Sequence, residues 1–152
     1  SFTVAIRSPT WDLKALQDFD CWRYLLSCCL EITDAGIASV AKLSELRSLT
    51  VSDCEEITDD GVATVTASLL QLRTLGLSNC NLITDAALES SLALLQVLNV
   101  YYCNNLTDTG VAHLASLELL QTLNASGCEQ ITDEGLARLS GLTQLQPIFP
   151  QR

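Results

Sequence analysis

Seven cysteines, one histidine and a row of aspartates are the residues of this chain that could do the most chemistry. Thiols and an imidazole together could hold zinc, but the usual sites need paired ligands at close spacing. The sequence has no CxxC pair, and His113 is its one imidazole, so no metal site and no cofactor is expected. Asp34, Asp59, Asp85, Asp108 and Asp133 recur at near-regular intervals and imitate a calcium ladder. Calcium-binding repeats also carry glycine-rich nonapeptides, which are missing here, and an aspartate at the start of a helix needs no ion. There is no phosphate-cradling GxxxxGKS/T, no GxSxG and no HExxH. No catalytic residues are therefore expected, and the chain reads as a non-enzyme.

Each of those aspartates ends the same phrase, in which a Cys is followed three residues later by Ile or Leu and then by Thr-Asp. The copies run Cys29 to Asp34, Cys54 to Asp59, Cys80 to Asp85, Cys103 to Asp108 and Cys128 to Asp133. The steps between cysteines are 25, 26, 23 and 25 residues, a period that marks a repeat architecture. Eight, five and three positions before the last four cysteines stand apolar residues: Leu46, Leu49 and Val51; Leu72, Leu75 and Leu77; Leu95, Leu98 and Val100; Leu120, Leu123 and Ala125. The first copy is less regular, with Cys21, Tyr24 and Leu26 in these places.

The elements that must position these residues follow from the spacing. Alternation of the last two apolar positions predicts a short strand with one face in the core. The cysteine turns inward, where a small thiol can fill a tight slot and reach a carbonyl. The aspartate is read as the N-cap of a helical stretch such as residues 110–114, whose Val111 and Leu114 bury the inner face. Gly36, Gly61, Gly110 and Gly135 follow the aspartate by two residues, and the third copy has Ala87 there. That slot needs a small side chain rather than a positive φ. His113 aligns with Ser39, Thr64, Ser90 and Arg138, all polar, which places it on the exposed side of a helix.

The phrase Cys-x-x-Ile/Leu-Thr-Asp-x-Gly resembles the cysteine-containing leucine-rich-repeat family, as in the F-box/LRR substrate-receptor proteins of ubiquitin ligases. The resemblance covers Cys21 to the C-terminus. It implies an α/β leucine-rich-repeat solenoid, a horseshoe with a concave parallel β-sheet and convex helices. It also implies a protein–protein interaction module, with substrate recognition in an F-box-type ubiquitin ligase as one form. The alternative is a structural subunit fixed in a large cytoskeletal or ciliary assembly. On this reading residues 1–20 are an N-terminal cap or degenerate repeat, and 21–146 are five cysteine-containing repeats. Residues 147–152 are a C-terminal edge strand or cap, since Pro147 and Pro150 withhold ladder donors. A helix over residues 10–16 is the favoured cover for the open end.

Composition narrows the partners. With 18 acidic and 8 basic residues the chain carries a net charge of −10 at pH 7. Nucleic acid and anionic membrane surfaces both demand a basic patch, so neither is expected, whereas a basic protein partner is compatible. Residues 1–10 lack the apolar stretch of a secretory signal. The longest uncharged stretch, 90–107, is interrupted by Gln96, Asn99, Asn104 and Asn105 and reads as no membrane span. The ladder cysteines Cys29, Cys54, Cys80, Cys103 and Cys128 are read as buried reduced thiols, which points to a cytoplasmic, reducing setting. Cys28 aligns with Asp53, Asn79, Tyr102 and Gly127, and is either a partly exposed thiol or packed against the N-terminal cap.

The outward strand positions are mostly small and uncharged. Against them Tyr101 and Tyr102 stand out as partner-binding candidates, because aromatic side chains carry much of the energy at protein interfaces. Arg23 and Leu25 form a second cluster, and Asn99 and Asn124 add polar contacts. Tyr101 could instead fill space beside Gly76 on the neighbouring strand. Asp53, Glu55 and Glu56, just after the strands, form an acidic rim suited to steering a basic partner.

Overall fold

The computed structural model describes residues 4–5, 23–27, 32–89 and 92–148. The expected helix over residues 10–16, Cys21, Cys28, Cys29, Ser90 and the tail after 148 lie outside the described residues, as do the side chains of Arg23 and Leu25.

The strands are β1 (Val4–Ala5), β2 (Arg23–Ser27), β3 (Ser48–Ser52), β4 (Thr74–Gly76), β5 (Val97–Asn99), β6 (Thr122–Asn124) and β7 (Gln146–Ile148). They pair in chain order and every pair is parallel. The register repeats from copy to copy: Leu49 lies opposite Leu75, Leu75 opposite Leu98, and Leu98 opposite Leu123. This column of leucines is buried along its length. In β3 the alternation is complete, with Leu49 and Val51 buried and Ser48, Thr50 and Ser52 half exposed. Pro147 stands opposite Leu123 in β7, the last described strand.

Helices return the chain behind the sheet. They are α1 (Asp34–Val40), α2 (Asp59–Ser68), a 3-10 turn (Asp85–Glu89), α3 (Asp108–Leu114) and α4 (Asp133–Ala137), which runs on into a 3-10 segment (Arg138–Gly141). Four of them turn an apolar pair towards the sheet, with Ile37 and Val40, Val62 and Val65, Ala87 and Leu88, and Val111 and Leu114 buried; in α4 Gly135 is buried and Leu136 partly so. His113 lies on the outer side, its imidazole 3.7 Å from the carboxylate of Glu89.

The aspartates do not cap their own helices, contrary to the expectation from the Thr-Asp phrase. Threonine is the N-cap, and its hydroxyl accepts from the N–H two residues on: Asp60 to Thr58 at 3.3 Å, Ala86 to Thr84 at 3.3 Å, Thr109 to Thr107 at 3.1 Å and Glu134 to Thr132 at 3.2 Å. The aspartate sits one residue later and accepts from the next copy. Thr58 donates its N–H (2.9 Å) and its hydroxyl (2.6 Å) to Asp34. Thr84 does the same to Asp59, Thr107 to Asp85 and Thr132 to Asp108. Each threonine hydroxyl thus gives its proton to a carboxylate and turns a lone pair to the helix start, satisfying an otherwise orphaned donor. The paired donors from Thr132 hold the Asp108 carboxyl below its ordinary range.

The same carboxylates explain the small-residue slot. A Cβ on Gly61, Gly110 or Gly135 would overlap the side chain of Asp34, Asp85 or Asp108 respectively. None of these glycines has a positive φ. The third copy, with Ala87 in the slot and the shortest step, winds as 3-10 rather than α.

The described cysteines Cys54, Cys80, Cys103 and Cys128 are buried thiols, none of them joined in a disulfide. Their thiols donate to main-chain carbonyls, Cys103 to Leu77 at 2.9 Å and Cys128 to Val100 at 3.0 Å, each in the preceding copy. Burial pushes the Cys80 thiol up to about 11 and that of Cys103 to about 12, and raises Cys128 as well, from an ordinary value of 9.0.

Two outcomes are expected. Leu98→Ala, in the middle of the leucine column, should cost about 2–5 kcal/mol in urea unfolding, and His113→Ala no more than about 0.5 kcal/mol. Equal losses would refute the inside–outside assignment. The second concerns pH. An unfolded thiol ionises before a buried one, so the unfolded state loses protons first as pH rises. Stability should therefore be intact below about pH 9 and fall from there towards pH 12. Cys103→Ala should flatten that fall, as read by denaturant titration across the pH series.

Candidate protein-binding face

The outward positions of the strands form a surface of small polar groups. Ser48, Thr50 and Ser52 in β3, Thr74 in β4, Ser78 after it, and Thr122 in β6 are half exposed. Gly76 is covered. An added Cβ there would lie 2.8 Å from the Thr50 methyl, so Thr50 already occupies the space beside this glycine. The ladder sets Gly76 opposite Asn99, two residues before Tyr101.

Asn99 and Asn124 face one another across β5 and β6. The Asn99 side-chain oxygen accepts from the Tyr101 N–H at 3.1 Å, and that of Asn124 from the Ser126 N–H at 3.1 Å. Those backbone donors settle which way each amide is turned, so both NH2 groups point away from their own main chain.

Tyr101 and Tyr102 follow directly. Their rings meet edge to face, with centroids 4.5 Å apart and planes at 68°, a favourable aromatic geometry. They are 39% and 45% exposed among side chains that are mostly half buried, so they stand above the surface. Tyr102 adopts φ 56°, in the left-handed region. Its ring lies on Gly127, where a Cβ would come within 2.6 Å of ring carbon, and Gly127 itself has φ 78°. Glycine is required there on both counts.

The candidate residues thus fall into separate groups. Tyr101, Tyr102, Asn99 and Asn124 lie together. Arg23 and Leu25 belong to β2, three strands away from β5, or roughly 14 Å at the usual spacing. In the acidic rim, Asp53 accepts from the Asn79 amide at 2.7 Å, while Glu55 and Glu56 are exposed.

An apolar edge went unrecognised in the sequence. Leu70 is 70% exposed, and Leu94 and Leu119 are also open to solvent, along the turns that lead into the strands. Each belongs to a Leu-Leu pair whose other member, Leu69, Leu95 or Leu120, is buried. The pattern alone does not say which partner goes inside. Leu70 and Leu94 also border a depression with Leu69, Leu92 and Thr66.

Among the described residues no group of three or more His, Cys, Asp or Glu side chains is placed to hold a metal ion. No described helix is long and apolar enough to cross a membrane.

A leucine-rich-repeat family model matches residues 43–65 and 116–140. No curated protein matches the chain. Among solved structures, the chain is similar to one from the complex of Rad7 and Elc1 in yeast, with a TM-score of 0.64 and 24% identity over 75% of this chain and 32% of that one. It is also similar to an internalin from Listeria monocytogenes, with a TM-score of 0.62 and 28% identity over 82% of this chain and 33% of that one. The chain spans about a third of the length of either structure. The stacked copies, their parallel ladder and these likenesses agree that the chain folds as a leucine-rich-repeat solenoid.

Proposed function

We propose that this solenoid is a protein-interaction module that captures its partner on the open face of the sheet, with Tyr101 as an anchor. The observation that carries this reading is the exposed aromatic pair set among short side chains, which let a partner approach the sheet closely. The rim at Asp53, Glu55 and Glu56 favours a partner of basic character. Substrate recognition in an F-box-type ubiquitin ligase is the form suggested by the Cys-x-x-Ile/Leu-Thr-Asp phrase. The similarity to a structure solved as the Rad7–Elc1 complex is in keeping with it. Buried thiols that form no disulfide among the described residues suit a reducing, cytoplasmic setting. A structural subunit of a large assembly is the competing role, and it would co-purify with a fixed, stoichiometric set of partners.

Tyr101→Ala should weaken partner capture by roughly thirtyfold, or about 2 kcal/mol. The melting temperature should hardly change, because the ring lies outside the core. Charge reversal at Glu55 and Glu56 should slow association and lower its salt sensitivity. The reading fails if Tyr101→Ala binds normally while Arg138→Glu, on the helical side, abolishes capture.

A further inference from the structure

We infer that Tyr102 is a binding residue held against backbone strain, and that with Tyr101 it seats an arginine side chain of an extended, basic protein segment. The inference rests on the reading of this face as a protein-binding surface, and it names the chemistry of the partner.

Every turn that leaves strands β3 to β6 puts the residue before the cysteine in the left-handed region. The φ values are 56° at Asp53, 58° at Asn79, 56° at Tyr102 and 78° at Gly127. Three of these residue types suit the task. Aspartate and asparagine are short polar residues that enter this region readily, here joined from copy to copy by the Asn79–Asp53 bond, and glycine has no Cβ. Tyrosine has neither property, and a bulky side chain in that region is strained. Burial does not fully compensate, since the residue stays 45% exposed with its ring against Gly127 and Tyr101. The fold does not call for a ring at this place, whereas an interface does.

The surroundings say what the rings would take. The next turn on one side carries Glu129, Asp133 and Glu134, and Asp53, Glu55 and Glu56 lie two turns away on the other. Residues 53–60, 79–85, 102–109 and 127–134 contain no lysine or arginine. A cation is drawn to the face of an aromatic ring, and these carboxylates add to the attraction. The planar guanidinium stacks on such a ring, while a lysine ammonium is a strongly hydrated point charge. Asn99 and Asn124, about 4.8 Å apart across the ladder, offer amide donors suited to main-chain carbonyls of the same segment.

The test uses a fluorescent nonapeptide of glycine and serine carrying two arginines, and the same peptide with lysine or with citrulline in their place. By anisotropy, the wild-type chain is expected to bind the arginine form at least about tenfold more tightly than the citrulline form, and about threefold more tightly than the lysine form. Tyr102→Asn, the residue type of the preceding turn, should melt roughly 2–8 °C higher. It should also lose the preference for arginine over lysine while keeping a salt-dependent attraction to both. A variant that melts no higher, or that retains the preference, overturns the inference. So does a wild-type chain that binds citrulline as well as arginine. If the arginine peptide fails while partner capture still depends on Tyr101, only the partner chemistry is wrong. If Tyr101→Ala leaves capture intact, the face itself is wrong and the inference falls with it.

Discussion

A strand of three residues, such as Val97–Asn99, has no hydrogen-bonding partner inside its own copy. Its donors and acceptors go to the neighbouring copies: Val97 donates to Arg73, Val100 to Asn124, and Gln96 accepts from Thr122. Buried backbone groups left unpaired would be costly, so no copy can fold by itself and the period must be kept. A slip of one residue would turn Leu98 to solvent and bring Val97 and Asn99 into the core. The cysteine thiols and the carboxylates secure that period from the two ends of each turn, by bonds that cross from copy to copy.

The solenoid was legible because a repeated phrase forces a repeated shape. Given the period and the apolar triplets, burial of Leu75, Leu98 and Leu123 needed no further information. The roles inside the Thr-Asp phrase were harder to assign. Both residues are good caps, and only the stacked copies reveal that aspartate serves the next threonine, 22–25 residues away. The left-handed column was visible as a set of equivalent positions. Asp53, Asn79 and Gly127 are residues that favour it, and the tyrosine among them hid the pattern. The exposed leucines were not legible at all, because in a Leu-Leu pair local spacing leaves both members equal.

The two edges of the sheet are unlike. Where the chain leaves the strands, carboxylates and the tyrosine pair dominate; where it enters them, Leu70, Leu94 and Leu119 lie open. The face between them is nearly free of charge in its described side chains. A partner crossing it would therefore take most of its orientation from the edges. The third copy lies beneath the middle of this surface, with a slimmer 3-10 turn behind β4 in place of an α-helix.

The carboxylate bridges also give the array a sense of direction. Asp59 acts on Thr84 and Asp85 on Thr107, and no described bridge of this kind runs backwards. Removing Asp59 would release the hydroxyl of Thr84 and slacken the start of the 3-10 turn in the following copy. Thr58, held by Asp34, would keep its place. Loosening at such a joint is thus felt first at the helix start of the copy that follows.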